Sequence, residues 1–400
     1  MCPAFPGVAD NALLEHLDRL IAFNTVSARS NLAIIGWIEH YCRNHGGRTR
    51  RFENEGGDKA NLLVSFGPDR PGGIVLSAHT DVVPTEGQAW RGDPFRMRRG
   101  NGRLIGRGTA DMKGFIACCL AAVPEVSQMA LERPLHLAFS HDEETGCNGV
   151  RPMVDWIAGS GLAPRLAIIG EPSSMQVVNA HKGCLITRVR VSGKPGHSSK
   201  PEICVNAVTV AARLITEIEH RHVALRDGPR FERLDPPQST TQVNRIVGGN
   251  ALNIVAEDCE FLWEARFIPG ENDQVLLDDI RAFAAAELEP AMKAVEASCG
   301  IDFSIEAHVP ALEPNADPAL ERDVMALLGQ SEADAVSYGS EAGIFQRAGI
   351  PAIICGPGDM ADAHRAEEYV TEAELRTCVD FLGSLIGKMN ISPQLTASRF

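Results

Sequence analysis

No run of apolar residues in this chain is long enough to cross a bilayer, and the first twenty residues have neither a basic opening nor a long apolar stretch. Asp10, Glu15 and Asp18 interrupt that region early, so neither a secretory signal nor a membrane-spanning helix is expected. C-x-x-C is also absent. The eleven cysteines are odd in number, follow no repeating interval, and include the adjacent pair Cys118 and Cys119. That pattern suits neither a zinc knuckle nor a disulfide framework, and it points to reduced, mostly buried thiols in a cytoplasmic protein. H-E-x-x-H, G-x-S-x-G, the P-loop and G-x-G-x-x-G are missing as well. These absences weigh against a serine hydrolase, a nucleotide-dependent enzyme and a dinucleotide-dependent oxidoreductase. Ser340 follows Tyr338-Gly339 and so lacks the preceding glycine of a nucleophile elbow. Positive charge is in deficit: 38 Lys and Arg against 52 Asp and Glu leave a formal charge of −14. Neither a nucleic acid nor an anionic membrane is therefore an expected partner.

What is present is an alternation of patterns over 400 residues, a length that favours two domains over one. Residues 11–23 carry apolar positions at helical spacing, 74–78 form a short apolar run after Pro71-Gly72-Gly73, and 114–126 read as an Ala- and Leu-rich helix. A strand over 135–140, a helix over 150–158 and a strand over 166–169 continue an α/β pattern with a central, mostly parallel sheet. From Lys182 the character changes. Strand-like alternation over 185–191, a helix over 206–220, strands over 240–246 and 259–267, a helix over 274–295 and a strand over 302–308 follow in turn. The order β-α-β-β-α-β is ferredoxin-like. After Pro310 the α/β pattern returns, with a helix over 320–328, a strand over 351–355 and a final helix over 373–389. The expectation is a discontinuous catalytic domain, residues 1–181 and 310–400, interrupted by an inserted domain over 182–309. The charged, proline-containing loop over 226–237 has the composition of a mobile segment.

Each of three apolar strands ends in acidic or imidazole residues. The first closes with His79-Thr80-Asp81, the second runs into Asp142-Glu143-Glu144-Thr145-Gly146, and the third into Gly170-Glu171-Pro172. Open α/β sheets place their sites at such carboxyl ends. Residues two apart on a strand face the same way, so His79 and Asp81 project together, and a carboxylate beside a histidine can fix its tautomer. Two glycine-flanked loops add Asp111, in Gly106-Arg107-Gly108 through Asp111-Met112-Lys113-Gly114, and His364, after Gly356-Pro357-Gly358-Asp359. Taken singly, each residue has an ordinary explanation. Asp111 could cap a helix, Glu143 and Glu144 could form a solvated turn, Glu171 could end a strand, and His364 could lie on the surface. Their joint occurrence at successive strand ends is what points to a site.

As a set, these motifs resemble the acetylornithine deacetylase, succinyl-diaminopimelate desuccinylase and carboxypeptidase G group of dizinc hydrolases, and the resemblance spans essentially the whole chain. It implies two zinc ions per chain, with cobalt or manganese as possible substitutes. His79 and Glu171 would bind one ion, Glu144 and His364 the other, and Asp111 would bridge them. Asp81 would orient His79, and Glu143 would be the general base. The charge count agrees: three carboxylate ligands and one hydroxide balance two divalent ions, and the nitrogen and oxygen donors suit zinc. The Asp111–Met112 peptide is expected to be cis by the same resemblance. In the inserted domain, His197 in Lys194-Pro195-Gly196-His197 resembles a histidine that stabilises the oxyanion in the other subunit, which implies a homodimer through that lid domain. Asn253 and Arg266 match positions that hold a substrate carboxylate, although a surface ion pair for Arg266 stays open, and Gly339 and Ser340 match a pocket-lining loop. The segment from Tyr338 to Gln346 looks nearer the acetylornithine deacetylase branch, with Ser340 where threonine is commoner. The implied reaction is hydrolysis of an N-acyl amino acid.

Overall fold

The computed structural model of the chain describes residues 10–389, which divide into two compact units. One comprises the residues up to Ala180, Pro314–Ala335 and the residues from Ser340 onward. The other comprises His181–Glu313 and Val336–Gly339. His181 and residues 310–313 and 336–339, read from sequence as part of the catalytic domain, thus group with the inserted block.

The first unit is built on an eight-stranded sheet in the order Arg48–Glu53, Ala60–Phe66, Leu135–Ser140, Ile74–His79, Leu166–Ile169, Ala352–Ile354, Val178–His181, Asp334–Val336. The four middle strands from Leu135–Ser140 to Ala352–Ile354 run parallel, and antiparallel strands flank them on both sides. Ile74–His79, Leu135–Ser140 and Leu166–Ile169 are buried at every position, as strands must be when helices cover both faces of a sheet. The helix Lys113–Gln128 is buried along nearly its whole length. Its Phe115 and Leu120 share one core with Leu17, Ile35, Leu76 and Leu382.

Helix Leu32–Asn44 and strands Arg48–Glu53 and Ala60–Phe66 were not read from the sequence. The strand Arg48–Glu53 is an edge of arginine, threonine and glutamate with a single half-buried phenylalanine, Phe52, so it carries no apolar alternation to detect. A separate three-stranded sheet joins Tyr369–Thr371, Arg103–Ile105 and Arg98–Gly100. It ties the segment before Asp111 to the one after His364.

The second unit has a four-stranded antiparallel sheet in the order Thr240–Gly248, Asp258–Phe267, Gly183–Ser192, Gly300–Val309, the ferredoxin-like arrangement. Along Asp258–Phe267 every second residue is buried, which is period-two alternation with one face packed. Helix Ala207–Leu225 packs there and begins at Asn206, whose side chain accepts from the Val208 and Thr209 N–H groups. The single helix read over 274–295 is in fact interrupted. Val275–Phe283 gives way to a π-helical segment, Ala284–Leu288, before Glu289–Val295. Pro290 has no N–H to donate back and its ring crowds the preceding turn, which accounts for the widened segment. The loop over 226–237 is folded rather than loose: Leu234 is 4% exposed, and the Phe231 N–H donates to the Pro237 carbonyl at 2.8 Å.

Trp263, 1% exposed, anchors this second core and donates its indole N–H to Thr241. Trp263→Ala is expected to lower stability by about 3–5 kcal/mol, read as a shift in the urea midpoint followed by circular dichroism. A loss of less than about 0.5 kcal/mol would be the size of a surface change and would remove Trp263 from that role.

Candidate metal centre

His79 closes the strand Ile74–His79 and is 1% exposed. Its Nδ1 lies 2.9 Å from the main-chain carbonyl of Asp81. A carbonyl only accepts, so Nδ1 donates and Nε2 is left facing Asp111 Oδ1 at 2.9 Å and Glu171 Oε1 at 3.8 Å. The role implied for Asp81 changes accordingly. Its carboxylate stands 3.7 Å from Nδ1, too far for a hydrogen bond. It accepts instead from Ser27 Oγ at 2.7 Å and from the N–H groups of Glu143 and Glu144 at 3.3 and 3.4 Å. Asp81 thus orients His79 with its carbonyl and holds the next strand's loop with its carboxylate.

That loop leaves the strand Leu135–Ser140 through two non-glycine residues in the left-handed region, Asp142 (φ 58°) and Cys147 (φ 57°). Such residues cost about 1–3 kcal/mol each and need local support. Lys59 Nζ supplies it, 2.5 Å from Asp142 Oδ1, and the N–H groups of Gly146 and Cys147 both donate to the Glu143 carbonyl. The Cys147 thiol donates to Glu143 Oε1 at 3.2 Å. Glu144 turns the other way, with Oε2 3.0 Å from His364 Nε2. His364, itself at φ 58°, also lies 3.0 Å from Asp111 Oδ2. The two oxygens of Asp111 therefore face two different imidazoles. The Asp111–Met112 peptide is cis.

Glu171 follows Gly170, where a Cβ would come within 2.1 Å of the Phe115 ring. Only glycine lets this loop lie so close to the helix Lys113–Gln128. Glu171 is 3% exposed, and its Oε1 has no hydrogen-bond partner. Ser340 is fully buried and its Oγ accepts from the Ala342 N–H at 3.1 Å. Beside it is a residue that sequence reasoning missed. Glu341 is 1% exposed, accepts from Ser77 Oγ at 3.4 Å, and has Oε1 without a partner. Its only signal was a carboxylate opening an apolar helical segment. Cys147 was missed too, because nothing in sequence distinguishes it from the other thiols. The ten described cysteines are all free.

Negative charge dominates this cluster. Burial and neighbouring carboxylates push Glu143 and Glu171 well above the usual range, and burial pushes Glu144 and Glu341 up to about 7. Burial opposes ionisation of Asp111 as well, but hydrogen bonds from His364 and His79 outweigh it and hold the group low. His364 is raised to about 10 by its bonds to Asp111 and Glu144. His79 is held well above its usual value by Asp111 and Glu171, against the effect of burial. One donor atom from each of His79, Glu143 and Glu171 lies within 4.8 Å of the others, and the same holds for His79, Asp111 and Glu144. Imidazole nitrogens, carboxylate oxygens and the orphaned oxygen of Glu171 make a donor set that fits divalent zinc, cobalt or manganese.

The second unit carries the remaining candidates. His197 is exposed, with Nδ1 2.7 Å from Ser199 Oγ. Asn253 is exposed, and its carbonyl accepts from the Ser198 N–H at 3.1 Å. Arg266 is 31% exposed and pairs with Glu264 at 2.7 Å. A Cβ on Gly339 would meet the Lys182 carbonyl and Val309 at 3.3 Å.

Carboxylates and imidazoles gathered from the carboxyl ends of parallel strands and two neighbouring loops have the make-up of a metallohydrolase-type centre. The chain belongs to Peptidase family M20/M25/M40, which matches residues 75–388, and it is a hydrolase of that family. It is 33% identical over 332 residues to an acetylornithine deacetylase from Yersinia pseudotuberculosis serotype O:1b (strain IP 31758), covering 82% of this chain and 83% of that one. It is 31% identical over 387 residues to an acetylornithine deacetylase from Pasteurella multocida (strain Pm70), covering 94% and 98%. Among solved structures, an M20 family metallo-carboxypeptidase, Sso-CP2 from Sulfolobus solfataricus, shares the fold. The TM-score is 0.73 at 15% identity, over 95% of this chain and 99% of that one.

A metal held by His364 and Glu144 would compete with protons for the same atoms. Both groups are raised, to about 10 and about 7, so near neutrality they hold protons that a metal must displace. Zinc affinity is therefore expected to rise with pH, by about tenfold per pH unit for each proton released. Calorimetry in buffers of different ionisation enthalpy counts those protons. An affinity unchanged between about pH 6 and pH 8 would contradict the arrangement.

Proposed function

We propose that this chain hydrolyses the amide bond of an N-acyl amino acid, with N-acetylornithine as the first substrate, releasing ornithine and acetate. The observation that carries the reaction type is the placement of Glu143. It lies beside Glu144 but faces His79 and Glu171, and its N–H is held by Asp81 while Cys147 donates to its carboxylate. The likeness to the two acetylornithine deacetylases over most of the chain supports the choice of substrate.

In this reading His79 and Glu171 would hold one zinc and Glu144 and His364 the other, with Asp111 contributing to both. Zinc bound there would acidify water and polarise the amide carbonyl. Glu143 takes the proton of the attacking water and returns it to the leaving amine. Arg266 and Asn253 would hold the substrate carboxylate, the arginine through its fork of donors, and Gly339 and Ser340 would line the acyl pocket. His197 would stabilise the oxyanion in the other subunit of a homodimer formed through the inserted domain. A place in arginine biosynthesis and in the cytoplasm goes with this substrate, and the free cysteines support a reducing compartment. A deacylase for another N-acyl amino acid, or a dipeptidase, would use the same centre.

The test is a panel of N-acetyl, N-succinyl and N-formyl amino acids with simple dipeptides, using zinc-reconstituted protein and reading released amine. N-acetylornithine is expected to turn over best. Glu143→Ala is expected to lower kcat by about 10²–10⁴-fold while two zincs per chain remain bound. A different preferred substrate keeps the mechanism and replaces the substrate. Full activity in Glu143→Ala would remove Glu143 as the base.

A further inference from the structure

Arg107 and Gln88 stand outside the converging ligands, yet together they reach the chain on both sides of them. The Arg107 side chain is 1% exposed and pairs with Glu368, also 1% exposed, with Nη1 2.5 Å from Oε2. The other oxygen of that carboxylate accepts the N–H groups of Ala110 and Asp111 at 3.0 and 3.1 Å. The second arm of Arg107, Nη2, donates to Gln88 Oε1 at 2.5 Å. Gln88 Oε1 accepts from Trp90 Nε1 at 3.1 Å, and Gln88 Nε2 donates to the main-chain carbonyl of His364 at 2.9 Å. Only one orientation of the amide satisfies all three contacts, with its oxygen toward two donors and its nitrogen toward a carbonyl. The Trp90 ring lies 5.3 Å from the guanidinium carbon, within cation–π range.

The two residues reached in this way need different kinds of help. Asp111 is buried, but its carboxylate must face two imidazoles at once. The His364 side chain is 48% exposed, so packing does not fix it, and its backbone sits at φ 58°. Glu367, next to the network, is also left-handed, at φ 62°. Its carboxylate is tied to the Arg91 N–H at 2.9 Å and to Arg98 at 2.6 Å. The segment over 88–107 thus clamps the loop over 364–368 at three points. A buried ion pair adds little net stability against a well-packed apolar alternative, so stability alone does not account for a guanidinium at this place.

We propose that Arg107 is a positioning residue. Through Glu368 and Gln88 it sets the backbone of Asp111 relative to that of His364, and thereby the affinity of the metal position these two residues share. The proposal rests on the metal-centre reading above.

The experiment titrates zinc against a competing chelator into the metal-free full-length protein, and records the melting of that metal-free protein. Gln88→Leu removes the link to His364 together with the contacts to Arg107 Nη2 and Trp90, at a half-buried position, and leaves the Arg107–Glu368 pair in place. Arg107→Lys keeps the charge but cannot reach both partners, and Glu368→Gln weakens the hold on Asp111. In Gln88→Leu one of two zinc steps is expected to weaken about 10–100-fold, the other to stay within about threefold, and melting of the metal-free protein to match wild type. Arg107→Lys and Glu368→Gln are expected to weaken that step at least as much. Two unchanged steps in folded Gln88→Leu overturn the proposal, as do lower melting temperatures with unchanged affinities in all three variants. Fewer than two zincs bound by the wild type overturns the metal reading itself, and the proposal with it.

Discussion

The carboxylates of Asp111, Glu143, Glu144, Glu171 and Glu341 are brought together largely away from water, with two imidazoles among them, one of them open to solvent. Carboxylates left to themselves there resist ionisation, and the raised proton affinities of the four glutamates express that cost. The arrangement makes physical sense once divalent cations share the space, because attraction to them then replaces lost hydration. Many local features of the first unit act to keep these groups in place against their mutual repulsion. They include the left-handed residues at 142, 147 and 364, the glycine at 170 that lets its loop touch the neighbouring helix, and the N–H groups gathered by the carboxylate of Asp81.

The supporting layer is organised around main-chain atoms more than side chains. Asp81 holds amides of the loop that carries Glu143 and Glu144. Glu368 holds the amide of Asp111. Gln88 holds the carbonyl of His364. Fixing a backbone fixes the starting point of every side-chain rotamer on it, and the ligand rotamers can then be set by few further contacts. Residues far apart in sequence become parts of one frame. The small sheet joining Arg98–Gly100 and Arg103–Ile105 to Tyr369–Thr371 is what lets positions 107 and 368 meet at all.

Much of this centre was legible in the sequence, because strand ends and turns have local signatures. Apolar runs at 74–78, 135–140 and 166–169 locate three parallel strands, and the acids and histidines just beyond them locate the cluster. The order of elements over 182–309 was enough to read a ferredoxin-like sheet. What stayed hidden depended on tertiary contact. The strand Arg48–Glu53 has no apolar pattern, so only its partner Ala60–Phe66 defines it. The partner of His79 Nδ1 turned out to be the Asp81 carbonyl at 2.9 Å, with the carboxylate of the same residue at 3.7 Å, a choice that residue types do not encode. Glu341 and Cys147 bear on the cluster because of what they touch.

The two histidines of the cluster differ sharply in their access to solvent. The His79 side chain is 1% exposed and that of His364 is 48% exposed. Water and small chelators can approach the position beside His364 while the strand end at His79 stays walled off. In the proposed two-metal centre, ligand exchange at the two positions would therefore be kinetically unequal. An ion beside His364 would come and go on a fast clock, and one beside His79 on a slow clock set by local opening of the strand end. A centre built this way would have a resident side and a visiting side, and partial occupancy in a metal-poor medium would be ordered, not random.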